Sequence, residues 1–138
     1  MSTTKDCPFC HIQDRVLLQN DLAQAFLSDP RKVAGHFLVT PRRHVEKPWE
    51  LTKDELLAVF DLLNQLEQKL EGKLGDGFDV RQNYRPFLEQ SRLKVDHVHY
   101  HLIPRRKFDK IHDVAERFET VLFEKLTDQE ADQIRPLL

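Results

Sequence analysis

Hydrophobic and polar positions divide the chain into several short alternating stretches and one long periodic stretch. The long one, LTKDELLAVFDLLNQLEQKLEGKLG (51–75), repeats apolar residues every three or four positions, as one face of an α-helix requires. Thr52 and Glu55 have the spacing of a capping box, and Gly72 and Gly75 provide an end. The segment therefore predicts one long amphipathic helix, whose inward face holds Leu56, Val59, Phe60, Leu63, Leu66 and Leu70.

The short stretches have the pattern of β-strands. RVLLQND (15–21) and LAQAFLSD (22–29) predict a hairpin that turns at Asn20 and Asp21. Further strands are predicted at HFLVTP (36–41), FDVRQNY (78–84) and KVDHVHYHLIP (94–104). The amphipathic segment 111–126 predicts a C-terminal helix, and 127–138 a short third one. This order of elements indicates an α+β fold with an antiparallel sheet.

Length and charge narrow the class of protein. A chain of 138 residues is long enough for a single domain, 1–138, without disulfides. A net charge of -2 argues against general attraction to nucleic acid or to a membrane surface. The sequence has no apolar run of about 18 residues and no apolar segment near its start, so we expect a cytoplasmic protein without a membrane span.

Three of the seven histidines stand at alternate positions of the last predicted strand: His97, His99 and His101. Alternation in a strand places them on one face, roughly 7 Å apart, and turns Val98, Tyr100 and Leu102 towards the core. Imidazole serves as metal ligand, nucleophile or general acid–base. The alternative is an exposed polar face that merely happens to be rich in histidine.

Four features together resemble the histidine triad (HIT) superfamily of nucleotide hydrolases and transferases. HVHYHLI (97–103) matches the alternating triad, and GHFLVTPRRH (35–44) matches a second segment of the family. CPFC (7–10) resembles its Cys-x-x-Cys, and Asn83 stands where the family has an asparagine. The resemblance implies a five-stranded antiparallel sheet with one long helix and a C-terminal helix, commonly paired as a homodimer.

The same resemblance implies roles for the histidines. The middle one, His99, is the nucleophile, which attacks the α-phosphorus of a nucleotide conjugate and forms a nucleotidyl-histidine that water hydrolyses. His101 stabilises the phosphoryl oxygens and protonates the leaving group, and His36 shares that task. On the residues alone, His36 is equally a capping or packing histidine at the start of a strand.

In members with Cys-x-x-Cys, the resemblance implies a structural zinc ion. Its ligands would be Cys7, Cys10, His44 and His97. A Cys2His2 set is closed, with no position for a reactive water. The absence of His-Glu-x-x-His argues against a zinc peptidase, and the alternative for CPFC by itself is a free dithiol.

Two departures from the family pattern concern substrate binding. The family usually holds phosphates with a glycine-rich loop, but the corresponding segment, 83–97, has no glycine, and Leu93 and Lys94 replace the usual polar residues. Arg85, Arg92 and Lys94 can bind several phosphates instead, or they are solvated loop charges.

The second departure is at the position of the family's ribose-binding Asp. Here Ser28 has that spacing and Asp29 is one residue closer to His36, so either residue is a candidate. Nearby Leu22 and either Phe26 or Leu27 would form the base pocket, because adjacent strand residues face opposite ways.

These observations predict a nucleotide hydrolase or transferase that acts on a small-molecule substrate. Dinucleoside polyphosphates are the first choice, because cations replace the glycines, and adenosine phosphoramidates are the second. Two further hypotheses are a nucleotide-binding module with vestigial turnover and a zinc-dependent scaffold that binds proteins through 111–138.

Overall fold

The computed structural model describes residues 5–138 and divides them into two compact units, the first ending at Arg106 and the second spanning Lys107–Leu138. None of the helices in the described chain is long and apolar enough to cross a membrane. A single domain over 1–138 stays a prediction.

A five-stranded antiparallel sheet forms the first unit, as predicted. Its strands are β1 (Leu18–Gln19), β2 (Ala23–Leu27), β3 (Phe37–Pro41), β4 (Gly77–Gln82) and β5 (Tyr100–Arg105), in the order β1-β2-β3-β5-β4. The predicted hairpin joins β1 and β2, where the Asn20 side chain accepts hydrogen bonds from the backbone N–H groups of Leu22 and Ala23. Strand β5 therefore lies inside the sheet, between β3 and β4.

The long helix α1 (Lys53–Leu70) packs against one face of this sheet. It has the predicted capping box and is followed by Gly72 with a φ of 76°. The predicted inward face is partly wrong: Leu62 is fully buried, whereas Leu56 and Phe60 are 37% and 43% exposed. The buried stripe is centred on Val59, Leu62, Leu63 and Leu66, because the sheet covers a narrower arc of the helix than the apolar residues occupy.

The buried carboxylate of Glu55 connects α1 to the loop after β3. It accepts a hydrogen bond from the backbone N–H of Thr52 at 3.0 Å and a bidentate pair from the guanidinium of Arg43 at 2.7 and 3.0 Å. The Arg43 hydrogen bonds are the main reason why the pKa of Glu55 lies below its usual value. The cap of the helix thus also fixes the backbone next to His44.

The histidine segment differs from the prediction of one regular strand. Strand β5 begins only at Tyr100, so His97 and His99 lie in the segment that leads into it. The cause is local hydrogen bonding: the backbone carbonyl of His97 accepts from the His99 ring, and the N–H of Val98 donates to Val45. Val98, Tyr100 and Leu102 still pack in the core beneath α1, as predicted.

The second unit consists of short helical segments. These are α2 (Lys110–Val114), a 3-10 helix (Glu116–Leu122) and α3 (Asp128–Ile134). The predicted continuous helix over 111–126 is wrong, because the backbone leaves the helical region at Ala115. Ile111 is the sole buried side chain in these three segments, and without a buried face a long helix lacks its main stabilisation. The predicted short third helix is confirmed by α3.

Candidate active site and metal centre

Cys7, Cys10, His44 and His97 meet in one cluster, as predicted, and their ligand atoms all lie within 4.8 Å of one another. Nδ1 of His97 lies 3.4 Å from Sγ of Cys7 and 3.6 Å from Sγ of Cys10, and Nδ1 of His44 lies 3.4 Å from Sγ of Cys10. Tetrahedral zinc with ordinary bond lengths places its sulfur and nitrogen ligands about 3.5 Å apart. Three sulfur–nitrogen pairs of the cluster therefore have the spacing of a closed Cys2His2 zinc site, and the group could hold such an ion.

The hydrogen bonds of His97 also suit a metal ligand. Its Nε2–H donates to the carbonyl of Pro41 at 2.9 Å, which leaves the lone pair of Nδ1 directed at the two cysteines. Burial lowers the pKa of His97 to about 4, so the ring is neutral. Burial and the neighbouring Cys7 raise the pKa of the Cys10 thiol to about 12. A metal that binds here must therefore displace thiol protons.

A second group of histidines forms a hydrogen-bonded relay. The backbone N–H of Lys32 donates to Nδ1 of His36 at 3.1 Å, so the proton of the His36 ring is on Nε2. That Nε2 lies 2.9 Å from Nδ1 of His101 and donates to it. The ring proton of His101 is consequently on Nε2, where it can be given to a leaving group.

The conformation of the loop before β3 places His36 in the relay. Gly35 has a φ of 83°, and a Cβ at this position would lie 2.8 Å from the side chain of Leu74. Glycine is the residue that adopts such a backbone without strain and tolerates the close contact. The loop conformation thus brings the buried ring of His36 within hydrogen-bonding distance of His101.

His99 has the geometry of an oriented nucleophile. Its Nδ1–H donates to the backbone carbonyl of His97 at 2.7 Å, so Nε2 carries the free lone pair. Burial lowers the pKa of His99, which keeps the ring neutral. Its ring centroid lies 5.0 Å from that of His101. A neutral nucleophile therefore stands beside a proton donor, the arrangement that two-step transfer requires.

Burial and nearby cations hold both relay histidines in the neutral form. The pKa of His36 is lowered to about 4, first by burial and then by the charges of Lys32, Arg81 and His99. The pKa of His101 is lowered to about 3 by burial, by His99 and His36, and by the same Lys32 and Arg81. A neutral His101 can therefore stabilise a negatively charged leaving oxygen by donating a hydrogen bond from Nε2, while its Nδ1 accepts from His36.

The lowered pKa values predict how stability depends on pH. Above pH 6.5 both rings are neutral in the folded and the unfolded chain, so they contribute no slope. Between about 6.5 and 4, the unfolded chain takes up protons that the folded relay excludes, and the free energy of unfolding falls by about 1.4 kcal/mol per pH unit for each excluded proton. The free energy of unfolding is measured by urea titration at several pH values for the parent and for His36→Gln. Its slope against pH should differ between the two by roughly one proton across this range.

His112→Gln removes a histidine of the second unit and is the matched control for that measurement. Equal slopes for the parent and His36→Gln would contradict the neutral relay.

A cleft of about 830 Å³ opens beside His99. Its walls are formed by 44–47, 82–90 and 94–99, and they include three of the predicted substrate residues, Asn83, Arg85 and Lys94. The ammonium of Lys94 is paired with the carboxylate of Asp96, so its charge is partly neutralised. Arg92 is exposed and is not among the residues that line the cleft.

The loop between β2 and β3 brings the two ribose-binding candidates next to His36. The backbone N–H of Ser28 donates to the carbonyl of His36 at 2.8 Å, and its hydroxyl donates to the carbonyl of Pro30. Asp29 is exposed on the same loop. Of the predicted base-pocket residues, Phe26 is buried against Phe9, while Leu22 and Leu27 are 40% and 43% exposed.

Sequence reasoning missed three residues at this site. Phe9, between the two cysteines, contacts the edge of the His99 ring with centroids 5.2 Å apart. Lys32 and Arg81 carry the charges that act on His36 and His101. Phe9 could have been predicted from the sequence. If Cys7, Cys10 and His97 share a metal, then Phe9, which lies between the two cysteines, must lie close to the triad. Arg81 of β4 lies directly opposite His101 of β5, and the sequence does not specify this strand register.

Comparisons with known proteins agree with this geometry. The HIT domain matches residues 10–108. A bis(5'-adenosyl)-triphosphatase of Dictyostelium discoideum is 28% identical over 99% of this chain and 94% of its own length. An adenosine 5'-monophosphoramidase of Saccharomyces cerevisiae is 31% identical over 72% of this chain and 63% of its own length.

Solved structures confirm the fold. The crystal structure of a HIT family protein from Bacillus anthracis has a TM-score of 0.68 at 23% identity, and the match covers 99% of each chain. With the triad segment, the relay and the Cys2His2 cluster in place on that fold, the chain belongs to the HIT family.

Proposed function

We propose that this chain is a nucleotide hydrolase that acts at the α-phosphorus of dinucleoside polyphosphates through a nucleotidyl-histidine on His99. The observation that carries the proposal is the 2.7 Å hydrogen bond from Nδ1 of His99 to the carbonyl of His97. It fixes the tautomer and leaves Nε2 as the one nucleophilic nitrogen of that ring.

The reaction proceeds in two steps. In the first, Nε2 of His99 forms a bond to the α-phosphorus while the bond to the leaving nucleoside polyphosphate breaks, and the leaving oxygen departs as an anion that accepts a hydrogen bond from Nε2–H of His101. His36 donates to Nδ1 of His101 throughout. In the second step, water attacks the phosphorus, its proton passes to solvent, and the phosphorus–nitrogen bond breaks to release a nucleoside monophosphate and neutral His99.

Two cations beside His99, in a cleft that carboxylates line as well, support polyphosphates over the second candidate, adenosine phosphoramidates. Arg85 and Lys94 line the cleft next to His99, and Asn83 adds an amide. The relative that matches over nearly the whole chain is named a triphosphatase. A phosphoramidate has a single phosphate and gains little from several cations, although the yeast relative's name keeps it as the runner-up.

The loop of His36 supplies the sugar contact in this proposal. We assign it to the carboxylate of Asp29, because the Ser28 hydroxyl proton is already donated to Pro30. Ser28 then holds the loop, and its backbone N–H fixes the carbonyl of His36. Leu22 and Leu27 are exposed apolar side chains of this edge, and one of the two is the candidate for contact with the base, because their odd spacing along the strand turns them to opposite faces.

The Cys2His2 cluster is assigned to zinc in a structural role. The chemistry that zinc supplies is charge neutralisation of two thiolates in a closed site. Cys7 and Cys10 belong to the N-terminal segment, His44 to the loop after β3, and His97 to the triad segment. The set therefore joins three distant parts of the chain around the residue whose carbonyl orients His99.

We further propose a homodimer in the cytoplasm. Strand β4 is at the edge of the sheet, so its outer backbone groups are available to a second copy that continues the sheet. A reducing compartment keeps Cys7 and Cys10 as thiols competent for zinc. Sedimentation equilibrium that finds only monomer at micromolar concentration would contradict the dimer, and a fusion excluded from the cytoplasm would contradict the location.

A substrate comparison tests the function. Diadenosine tetraphosphate, diadenosine triphosphate and an adenosine phosphoramidate are each incubated with the protein, and the products are separated by ion-exchange chromatography. We expect AMP from all three, with a kcat/KM at least about 10-fold higher for the polyphosphates, in line with two additional charge-assisted contacts. Binding of all three without any AMP would support the nucleotide-binding module, and no binding would leave the scaffold hypothesis.

A further inference from the structure

Positive side chains gather beside the relay on the side of the leaving-group donor. Arg81 of β4 stands directly opposite His101 of β5, and opposed residues of antiparallel strands share one face. Lys32 belongs to the loop whose backbone N–H binds His36. The charges of Arg81 and Arg85, after burial, lower the pKa of Lys32, which places all three cations within electrostatic range of one another.

One cation of the cluster shares its carboxylate. Asp79 accepts from Arg81 at 3.0 Å and also from Arg105 at 2.6 Å. Within 5–138, Lys32 and Arg85 form no ion pair. Lys32 and Arg85 thus add positive charge next to Arg81 without an ion pair of their own, and an anion that binds there would relieve their mutual repulsion.

We propose that Lys32, Arg81 and Arg85 form a polyphosphate-binding site for the leaving half of the substrate, and that this site selects conjugates with three or more phosphates. The assignment rests on the proposed function and identifies the residues that discriminate between its two substrate classes. The phosphates of the leaving group must depart past the side chains that flank His101. Lys32 and Arg81, which lie beside the relay, are then the main determinants of specificity.

The direct test measures binding of inorganic tripolyphosphate by calorimetry at low salt, which requires no turnover. We expect Lys32→Gln and Arg81→Gln each to raise the Kd about 10-fold or more, in keeping with the loss of one charge-assisted contact. Lys32→Arg and Arg81→Lys keep the charge and should stay within about 3-fold of the parent. Lys69→Gln removes an exposed charge from α1 and is the matched control.

The kinetic arm compares two substrates in the same variants. Lys32→Gln and Arg81→Gln should lower kcat/KM for diadenosine tetraphosphate at least about 10-fold more than they lower it for an adenosine phosphoramidate, because any effect on the relay histidines is common to both substrates. Losses of equal size for both substrates, or unchanged tripolyphosphate binding in both variants, would overturn the assignment. If the parent binds tripolyphosphate through these residues yet hydrolyses neither substrate, the anion site stands and the proposed function fails.

Discussion

His99→Gly is expected to lower the turnover of diadenosine polyphosphates on the order of 10⁴-fold or more, the largest effect of any single change in this chain. The substitution removes the atom that bonds to phosphorus, so no step of the reaction survives, whereas loss of a proton donor only slows one. Neutral His101 nearby is not a substitute, because its Nδ1 accepts from His36 and its Nε2 carries a proton. Single-turnover assays with diadenosine tetraphosphate provide the measurement.

The variants His99→Ala and His112→Gln complete that experiment. His99→Ala should be as inactive as His99→Gly, and His112→Gln, in the second unit, should keep the parent rate. Trapping the intermediate adds a chemical readout: parent protein quenched in an alkaline denaturant, in which the phosphorus–nitrogen bond is stable, should hold a nucleotidyl group on His99, and the variants should hold none. A His99→Gly protein with more than about a hundredth of parental kcat would exclude His99 as the nucleophile.

Loss of the metal is the second large effect. Cys7→Ser and Cys10→Ser should each purify with far less than one zinc ion per chain, and each should lose about 3 kcal/mol or more of stability, or roughly 10 °C in Tm. Cys7 is fully buried and His97 is 1% exposed, so an incomplete ligand set leaves polar groups in the interior without a partner. Metal analysis and thermal unfolding are the measurements.

Turnover should fall in the same cysteine variants, because the backbone of His97 orients His99. Chelator treatment of the parent should reproduce both the lower Tm and the lower rate, and added zinc should restore them. His11→Gln, next to Cys10 and outside the cluster, is the control that should retain zinc. Stoichiometric zinc in either serine variant would contradict the ligand set.

The parts of the fold that were predictable from sequence are those that depend on local pattern. The capping box of Thr52 and Glu55, the turn at Asn20 and the inward side chains of the triad segment follow from spacing alone. The failures at Leu62 and at 111–126 have one cause. Amphipathic spacing gives the width of an apolar face, but which part of it is buried depends on what packs there.

The sequence was sufficient to predict which residues gather at the candidate site, but it did not reveal their tautomers or the charges beside them. Motifs and their resemblance to a family identified the triad and the four ligands. The relay depends on the tautomers of His36 and His101, and these follow from a backbone N–H that only a folded loop brings into range. Lys32 and Arg81 are unremarkable in the sequence, because loop conformation and strand register alone bring them to the histidines.

The hydrogen bond between His99 and the carbonyl of His97 has a consequence for how this site tolerates sequence change. Every amino acid has a backbone carbonyl, so the identity of residue 97 does not encode the acceptor that sets the nucleophile's tautomer. What the histidine at 97 contributes is immobilisation, through its ring hydrogen bond to Pro41 and its contacts with the cysteines. A related chain without the metal ligands could immobilise this backbone by other contacts, and its histidine at position 99 would keep the same tautomer. A comparison of side chains alone would not reveal that this backbone hydrogen bond had been conserved.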